Sequence, residues 1–488
     1  MNSSRKNRIV LYTSFFFLLL GIAFCQENFR LQLVHIAINF SGIALDEHFR
    51  SIGLSYLATY LILLGSIGLL YFFHLRNALK EKHFYFFSVS LLLIHYFYHL
   101  SANAINFPVY DDQGAILDFL LKSGDATSAS EKFRLLLKPY NESMVVFPKL
   151  FALCWLKISG QVNFRQLILF NGLLLIAFHL FLFRKATGNI IPMPLFFILS
   201  IFVFQFQFYD DAFWVLSGLC FYGVFLMAAA IFYMLQKNSR QLNYLTLFIS
   251  LVATFTFGNG WTLFPLCIFY LLSEKKKMEI IPWMLTFVLT IIIYFVLRAQ
   301  FHPLSDFHLN LLDNILFILI FLGSAFQFGY TPHIPVLVGL FIVWAFVNAV
   351  RKKQYKTSPV LFFMLAFLIG SAVTAAPLRS GIEPYGQYGI QVRYGIFSIY
   401  AIVISIALLL ENRIVTNKML AYLFATAFAY NALTGIFFFP ETVLRREIIE
   451  TVVAGIRIDK YDVKYTTYQR NDIEMLLKEA IKKGIYRP

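Results

Sequence analysis

Two adjacent carboxylates follow directly after an apolar stretch, in the run Tyr110-Asp111-Asp112-Gln113. Carboxylates at such a boundary are costly unless they are solvated, paired or used. Asp111 and Asp112 are therefore candidates for a general base or for metal ligands. The competing interpretation is a solvated helix start, because aspartate in the first turn of a helix complements the helix dipole.

A second acidic pair, Asp210 and Asp211, lies in a tight turn before Trp214. Glu142 stands in the same long loop as the first pair. Capped turns and surface positions are the alternatives for all three residues. Two acidic pairs at helix boundaries nevertheless suggest a polar site, and these residues are candidates for a cavity or an acceptor site.

Two arginines lie within one short loop, at Arg379 and in the run Arg393-Tyr394. The guanidinium group presents a fork of donors that suits phosphate. These residues therefore predict an anion-binding site for a phosphate. Snorkelling of Arg and Tyr at a membrane boundary is the alternative interpretation.

The turn Gly258-Asn259-Gly260-Trp261 joins two apolar stretches that are too short to cross a membrane comfortably. A sunken turn of irregular backbone is tolerated where protein covers it or where it lines a cavity. Asn259 and Trp261 are thus predicted at a cavity floor, with a simple tight turn as the alternative.

The elements that position these residues are strongly apolar. Of 488 residues, 59% are hydrophobic and only 14% are charged, and the mean hydropathy is +0.69. A water-soluble domain carries roughly a quarter of charged residues, so the composition excludes a soluble enzyme. It also excludes a disordered chain. The continuous apolar runs predict an all-α, polytopic transmembrane helical bundle rather than a β-barrel.

Thirteen segments are predicted to span the membrane. They are Ile9–Cys25, Leu54–His74, Phe84–Leu100, Phe164–Phe183, Ile191–Phe208, Phe213–Leu235, Tyr244–Phe257, Trp261–Leu272, Ile280–Leu297, Ile334–Val350, Val360–Ala376, Ile396–Leu410 and Met419–Phe439. The first could also be read as a signal peptide, but no convincing small-residue cleavage site follows it, which favours a signal anchor.

Short basic loops set the predicted orientation, because cytoplasmic loops collect Lys and Arg. Those loops and the N-terminus are predicted on the cytoplasmic side. The net charge of +15 is then explained largely by cytoplasmic loops and does not indicate binding to nucleic acid. The apolar stretches Met144–Leu156 and Leu311–Tyr330 then lie at the interface or re-enter the membrane. The acidic pairs, the arginine loop and the C-terminal tail are then predicted to lie on the outer side of the membrane.

The predicted organisation has four parts. They are N-terminal helices over 1–101, a first large outer loop over 102–163, a transmembrane core over 164–439 with outer loops 299–333 and 377–394, and an outer tail over 440–488. The tail is predicted to end in an amphipathic helix, Asp472–Lys483.

An early acidic loop, many spans and a later arginine loop together resemble the GT-C superfamily of membrane glycosyltransferases, which use a polyprenyl-phosphate sugar. The bacterial members similar to protein O-mannosyltransferases and to the lipid A aminoarabinose transferase are nearest. The resemblance rests on Tyr110-Asp111-Asp112-Gln113, on Gly258-Asn259-Gly260-Trp261 and on Arg379 with Arg393-Tyr394. Two extra spans precede the acidic loop here, and the usual Asp-Glu pair is Asp-Asp.

The resemblance implies that Asp111 or Asp112 deprotonates an acceptor while Arg379, Arg393 and Tyr394 bind the donor phosphate. It implies a bacterial inner membrane, an outer active site and inversion at the anomeric carbon. The partners would be a polyprenyl-phosphate sugar, a glycan, lipid or protein acceptor and membrane lipid, with no nucleic acid. The resemblance does not assign a definite cofactor, and a divalent metal is compatible with this chemistry.

Two other functions compete with glycosyl transfer. An O-antigen polymerase or ligase also uses outer arginines, but such enzymes depend on large late loops. A polysaccharide flippase or another secondary transporter would show polar groups near the membrane midplane and an internal duplication. The sequence shows charges at the boundary and no duplication.

Overall fold

A computed structural model of the chain is helical throughout its described residues, and the β-pairing found there is limited to two isolated bridges. The described residues are 3–41, 46–141, 143–187, 191–237, 239–299, 310–328, 332–381, 392–411, 416–458 and 473–488. The all-α prediction is confirmed for these residues.

The α-helices follow one another along the chain with few long connections. They are Ser3–Cys25, Glu27–Ser41, Glu47–Leu75, Glu81–Asn103, Asp118–Asp125, Ala129–Leu137, Val146–Ser159, Phe164–Leu180, Met193–Val203, Tyr209–Phe213, Val215–Leu235, Arg240–Thr256, Leu263–Ser273, Lys277–Ala299, Leu311–Gly323, His333–Arg351, Gln354–Thr357, Pro359–Arg379, Gly395–Leu410, Asn417–Arg457 and Ile473–Lys482. Two π-helices, Gln113–Leu117 and Phe181–Ala186, and three 3-10 helices, Gly258–Thr262, Ser324–Phe326 and Val392–Tyr394, complete them.

Ten helices of the described part are long and apolar enough to cross a membrane. Each coincides with one of the thirteen predicted spans, and the remaining three predictions fall on shorter helices. The chain is therefore an integral membrane protein of helical type. The two stretches expected not to cross, Met144–Leu156 and Leu311–Tyr330, correspond to the short helices Val146–Ser159 and Leu311–Gly323.

One predicted span, Ile191–Phe208, is much shorter in the structure. The helix there is Met193–Val203, and 11 residues rise only about 17 Å. Proline at 192 and 194 sets its start, since proline is tolerated in the first helical turn. At the other end, the chain leaves the helical conformation at Phe204.

The last predicted span ends too early. The predicted boundary at Phe439 lies directly before Pro440, and proline in a helix interior removes a hydrogen bond. The helix instead continues through Pro440 to Arg457. Part of the region predicted as an outer tail is thus an extension of this helix.

The described residues group into two compact units. The first contains Met1–Ala104, Ile191–Tyr209 and Arg413–Glu447. In it, the Tyr56 hydroxyl donates to Asn431 Oδ1 at 2.9 Å, and Asn431 Nδ2 donates to the carbonyls of Ile201 and Phe204. This buried amide satisfies the carbonyl groups at the end of the short helix, where no further helical donor exists.

The second unit contains Ile105–Ile190, Asp210–Asn412 and Ile448–Pro488. The helix Val215–Leu235 is buried along most of its length in this unit. Aromatic packing continues from it, with Phe225 contacting Phe397 and Tyr400 at centroid distances of 4.7 and 5.9 Å. This buried helix begins beside both acidic pairs, so its N-terminus fixes the positions of Asp112 and Asp211.

Candidate functional site

The second unit contains a cavity of about 1340 Å³. Residues from the ends of several helices line it, among them Asp111, Tyr140, Lys149, Trp214, Asn259, Trp261, Tyr294, Arg379, Arg393 and Tyr394. Segments far apart in the sequence therefore meet at one place. The volume exceeds the usual range of about 300–1,000 Å³ for ligand pockets.

Asp111 is the carboxylate of the first acidic pair that lines the cavity. The Tyr140 hydroxyl donates to its Oδ1 at 3.1 Å. Tyr140 is held in turn by a reciprocal pair of backbone hydrogen bonds with Ser143. A partly exposed carboxylate with a fixed orienting donor is the arrangement expected of a general base.

Asp112 has a different environment, because its side chain is completely buried. Its Oδ1 accepts the N–H of Leu216 at 2.7 Å. Its Oδ2 accepts the N–H groups of Val215 at 3.3 Å and Val109 at 3.4 Å. Burial raises the pKa of Asp112 to about 8, while these three N–H donors act in the opposite direction. Asp112 thus caps the start of the buried helix.

The second acidic pair is divided in the same way. Asp211 is completely buried, and its Oδ1 accepts the Ser217 hydroxyl at 2.5 Å. Burial raises the pKa of Asp211, whereas the Ser217 hydrogen bond and the charge of Arg393 act against this rise. The carbonyl of Asp210 accepts the N–H of Trp214 at 2.9 Å. Neither aspartate is among the residues that line the cavity.

The arginine loop supplies cations to the cavity from two helix ends. Arg379 is the last residue of helix Pro359–Arg379, and Arg393 lies in the short 3-10 helix before Gly395. The Arg393 guanidinium lies over the rings of Trp214 and Tyr394, at 5.7 and 5.3 Å from their centroids. Such cation–π contacts orient the donor fork of the arginine.

The charge of the cavity is predominantly positive. Among the described lining residues, Asp111 and Asp118 are acidic, and five are basic, namely Lys122, Lys138, Lys149, Arg379 and Arg393. Lys122 pairs with Asp118 at 2.6 Å within one helix. The remaining excess of cations favours an anionic ligand.

Lys149 is a buried cation that the sequence analysis missed. It is 3% exposed, and its Nζ donates to the carbonyls of Lys138, Leu136 and Leu135 at 2.6, 3.3 and 3.4 Å. Burial lowers its pKa to about 7. The lysine therefore closes the C-terminal end of helix Ala129–Leu137. The signal that could have identified Lys149 is its position as a single lysine within the apolar stretch Met144–Leu156.

Three of the six described non-glycine residues with positive φ lie beside the cavity. Tyr110, Asn141 and Val145 adopt left-handed φ values of 50°, 53° and 49°. This conformation is uncommon for residues other than glycine and is an outlier for a β-branched valine. Each costs on the order of 1–3 kcal/mol and persists where the surroundings impose it, often at functional sites.

The predicted sunken turn is a 3-10 helix, Gly258–Thr262, that brings Asn259 and Trp261 to the cavity. A Cβ at Gly260 would lie only 2.4 Å from the backbone carbon of Ala253. The turn thus packs directly on helix Arg240–Thr256, and glycine is required there.

The C-terminal segment 473–488 packs beside the loop that carries the first acidic pair. The Tyr486 hydroxyl donates to the carbonyl of Asn106 at 2.9 Å, and Asn106 Nδ2 donates to the carbonyl of Arg487 at 2.6 Å. Lys483 pairs with Asp125 at 2.7 Å. The predicted amphipathic helix is confirmed as Ile473–Lys482, but its partner was not predictable from the pattern.

The cavity brings together six of the predicted site residues, which are Asp111, Asn259, Trp261, Arg379, Arg393 and Tyr394. Asp112, Asp210 and Asp211 are not among the residues that line it. Glu142 lies outside the described residues. Tyr140, Lys149, Trp214 and Tyr294 are added to the lining. Within the described part of the chain, no group of three or more His, Cys, Asp or Glu residues is arranged to hold a metal ion.

Comparison with known proteins places no further constraint on this site. No protein-family model, no curated protein and no solved structure matches the chain.

Proposed function

We propose that the protein is an integral membrane glycosyltransferase that moves a sugar from a polyprenyl phosphate to a cell-envelope acceptor on the outer side of the membrane. The observation that carries the proposal is the cavity itself. It combines one partly exposed carboxylate, Asp111, with the guanidinium groups of Arg379 and Arg393, in a chain of many apolar helices.

In this mechanism, Asp111 accepts the proton of an acceptor hydroxyl or amine as that group attacks the anomeric carbon. The new bond forms to this carbon while its bond to the phosphate oxygen breaks, and the electron pair leaves with the phosphate. Arg379 and Arg393 neutralise the negative charge that develops there. A single displacement of this kind inverts the anomeric configuration.

Asp112 has a positioning role in this proposal. Its carboxyl group bonds backbone N–H groups on both sides of the site, at Val109 and at Leu216. It thereby ties the acidic loop to the start of helix Val215–Leu235. Asp111 is the base in this proposal because it lines the cavity and Asp112 does not.

The phosphate assignment can be tested by binding, without knowledge of the sugar. The full chain in lipid nanodiscs would be titrated with a polyprenyl phosphate and with the corresponding polyprenol. We expect the phosphate to bind at least tenfold more tightly, because a charge-assisted hydrogen bond contributes about 1.5–3 kcal/mol. Arg379→Ala and Arg393→Ala should each remove most of that preference.

Arg351→Ala is the matched control, because Arg351 ends helix His333–Arg351 and does not line the cavity. It should retain the preference of the wild-type chain. Equal binding of the phosphate and the alcohol to the wild-type protein would contradict the proposal. So would a loss of preference in Arg351→Ala as large as that in the two cavity variants.

A further inference from the structure

One part of the cavity wall contains a buried hydrogen-bond acceptor with a fixed orientation. Asn259 Nδ2 donates to Ser371 Oγ at 3.1 Å, and Ser371 Oγ donates its own proton to the carbonyl of Phe367 at 2.8 Å. Ser371 Oγ therefore acts as an acceptor toward Asn259. This chain of bonds places the amide nitrogen at Ser371 and directs Asn259 Oδ1 elsewhere.

That amide oxygen makes no hydrogen bond, although Asn259 is only 6% exposed. Trp214 has the complementary property, since it is 4% exposed and its Nε1–H has no acceptor. Both residues line the cavity. A buried polar group without a partner is destabilising, so a ligand group that supplies the missing donor or acceptor to either residue would gain on binding. A hydroxyl group supplies both.

A flat aromatic surface also lines the cavity and begins at Trp261, two residues after Asn259 in the same 3-10 helix. The Trp261 ring stacks with Tyr294 at a centroid distance of 6.4 Å and an interplanar angle of 14°. Phe295 packs edge-on against Trp261 at 6.2 Å. All three line the cavity. A pyranose ring presents C–H faces that pack on such aromatic surfaces, and hydroxyl groups around its rim.

We propose that Asn259, Trp214, Trp261 and Tyr294 form a sugar subsite in the cavity, in which the ring packs on Trp261 and a hydroxyl group donates to Asn259 Oδ1. The inference rests on the proposed function, to which it adds the residues that recognise the sugar. It also assigns a specificity: the sugar must carry a hydroxyl or amine, rather than hydrogen, at the position facing Asn259. A site with an unmet buried acceptor rejects an analogue that lacks the donor.

The test uses methyl hexopyranosides and their monodeoxy analogues as probes, with saturation-transfer NMR on the full chain in nanodiscs. We expect wild-type protein to bind at least one methyl hexopyranoside, and one deoxy position to weaken that binding at least tenfold. Asn259→Leu, which keeps the size but not the acceptor, should bind the parent and this deoxy analogue equally. Trp261→Leu should weaken binding at least tenfold.

Trp344→Leu is the control for Trp261→Leu, because Trp344 is exposed and does not line the cavity; it should bind like the wild-type protein. The inference is overturned if no methyl hexopyranoside binds, or if Asn259→Leu and Trp261→Leu bind every probe as the wild type does. If Asn259→Leu fails to fold, the deoxy series on the wild-type protein decides. Uniform tolerance of every deoxy position would overturn the inference.

Failure of the subsite is distinguishable from failure of the proposed function. Sugar binding that depends on Asn259, in a protein that does not discriminate polyprenyl phosphate from polyprenol, supports the subsite and overturns the transferase proposal. Transfer from a polyprenyl-phosphate sugar with the same tolerance of deoxy sugars in wild type and Asn259→Leu supports the transferase and overturns the subsite.

Discussion

The two acidic pairs have the same Asp-Asp sequence and both contact the start of helix Val215–Leu235, yet only the first pair contributes a residue to the cavity. In both, the second aspartate is completely buried. Asp112 accepts N–H groups at the start of helix Val215–Leu235, and Asp211 accepts the Ser217 hydroxyl in its first turn. The first aspartates differ, because Asp111 lines the cavity and Asp210 does not. In both pairs the second aspartate therefore holds the start of this helix. The proposed proton transfer depends on whether the first aspartate lines the cavity.

The largest expected difference between the pairs is catalytic. Asp111→Asn should lower the rate of sugar transfer by about 10²–10⁴-fold, the usual contribution of a general base. Asp210→Asn should change it less than about twofold, since Asp210 does not line the cavity. Transfer from a polyprenyl-phosphate sugar by the purified chain is the measurement. Equal losses in both variants would remove the distinction between the pairs.

The buried members should differ from each other in stability. Asp112→Ala leaves the N–H groups of Val215 and Leu216 without this acceptor, whereas Asp211→Ala leaves only the Ser217 hydroxyl. At about 1–3 kcal/mol for each unsatisfied buried group, Asp112→Ala should destabilise the protein more. Thermal melting in detergent measures this order. A lower melting temperature for Asp211→Ala than for Asp112→Ala would contradict it.

Tyr140→Phe should have a smaller effect, confined to the first pair. The substitution removes the hydroxyl that donates to Asp111 Oδ1 at 3.1 Å and keeps the ring. We expect transfer to fall about tenfold, because a hydrogen bond to a charged group contributes about 1.5–3 kcal/mol. Tyr422→Phe, at an exposed position, is the control. A fully active Tyr140→Phe enzyme would show that Asp111 needs no orienting donor.

A separate prediction concerns the pH dependence of stability. The pKa of Asp112 is raised by burial to about 8 from an ordinary 3.8, so the native protein keeps a proton that the unfolded chain releases. Stability should therefore fall as pH rises from about 4 to about 8, with no further contribution above that range. Asp112→Asn should flatten part of this slope in melting experiments. An identical slope in the variant would show that Asp112 does not titrate there.

The helical class and most of the long spans were predictable, because they depend on composition and on runs of apolar residues. The predicted span Ile191–Phe208, which is a helix only over Met193–Val203, shows where hydropathy alone is insufficient. Over Ile191–Phe208 the apolar run continues beyond the end of the helix. The helix ends where the side-chain amide of Asn431 donates hydrogen bonds to the carbonyls of Ile201 and Phe204. A residue more than two hundred positions away decides that boundary.

Within the candidate site, charged residues at the boundaries of apolar runs were predictable, and several of them line the cavity. Which aspartate of each pair is buried was not, since the answer depends on hydrogen bonds to Leu216 and Ser217. Tyr294 gave no signal because it lies in an apolar helix and acquires its role by stacking on Trp261. Tertiary contacts, rather than the local sequence pattern, decide which aspartates are buried and where Tyr294 lies.

The central claim, that this cavity transfers sugar from a lipid phosphate with Asp111 as the base, is tested most directly in cells. The pool of polyprenyl-phosphate sugar and the envelope glycans would be measured in cells that lack the chain and in cells that express wild type, Asp111→Asn or Asp210→Asn. We predict that the donor accumulates without the chain, that wild type and Asp210→Asn restore both pools, and that normally inserted Asp111→Asn does not. Donor and glycan pools that stay unchanged when the chain is absent would contradict the account.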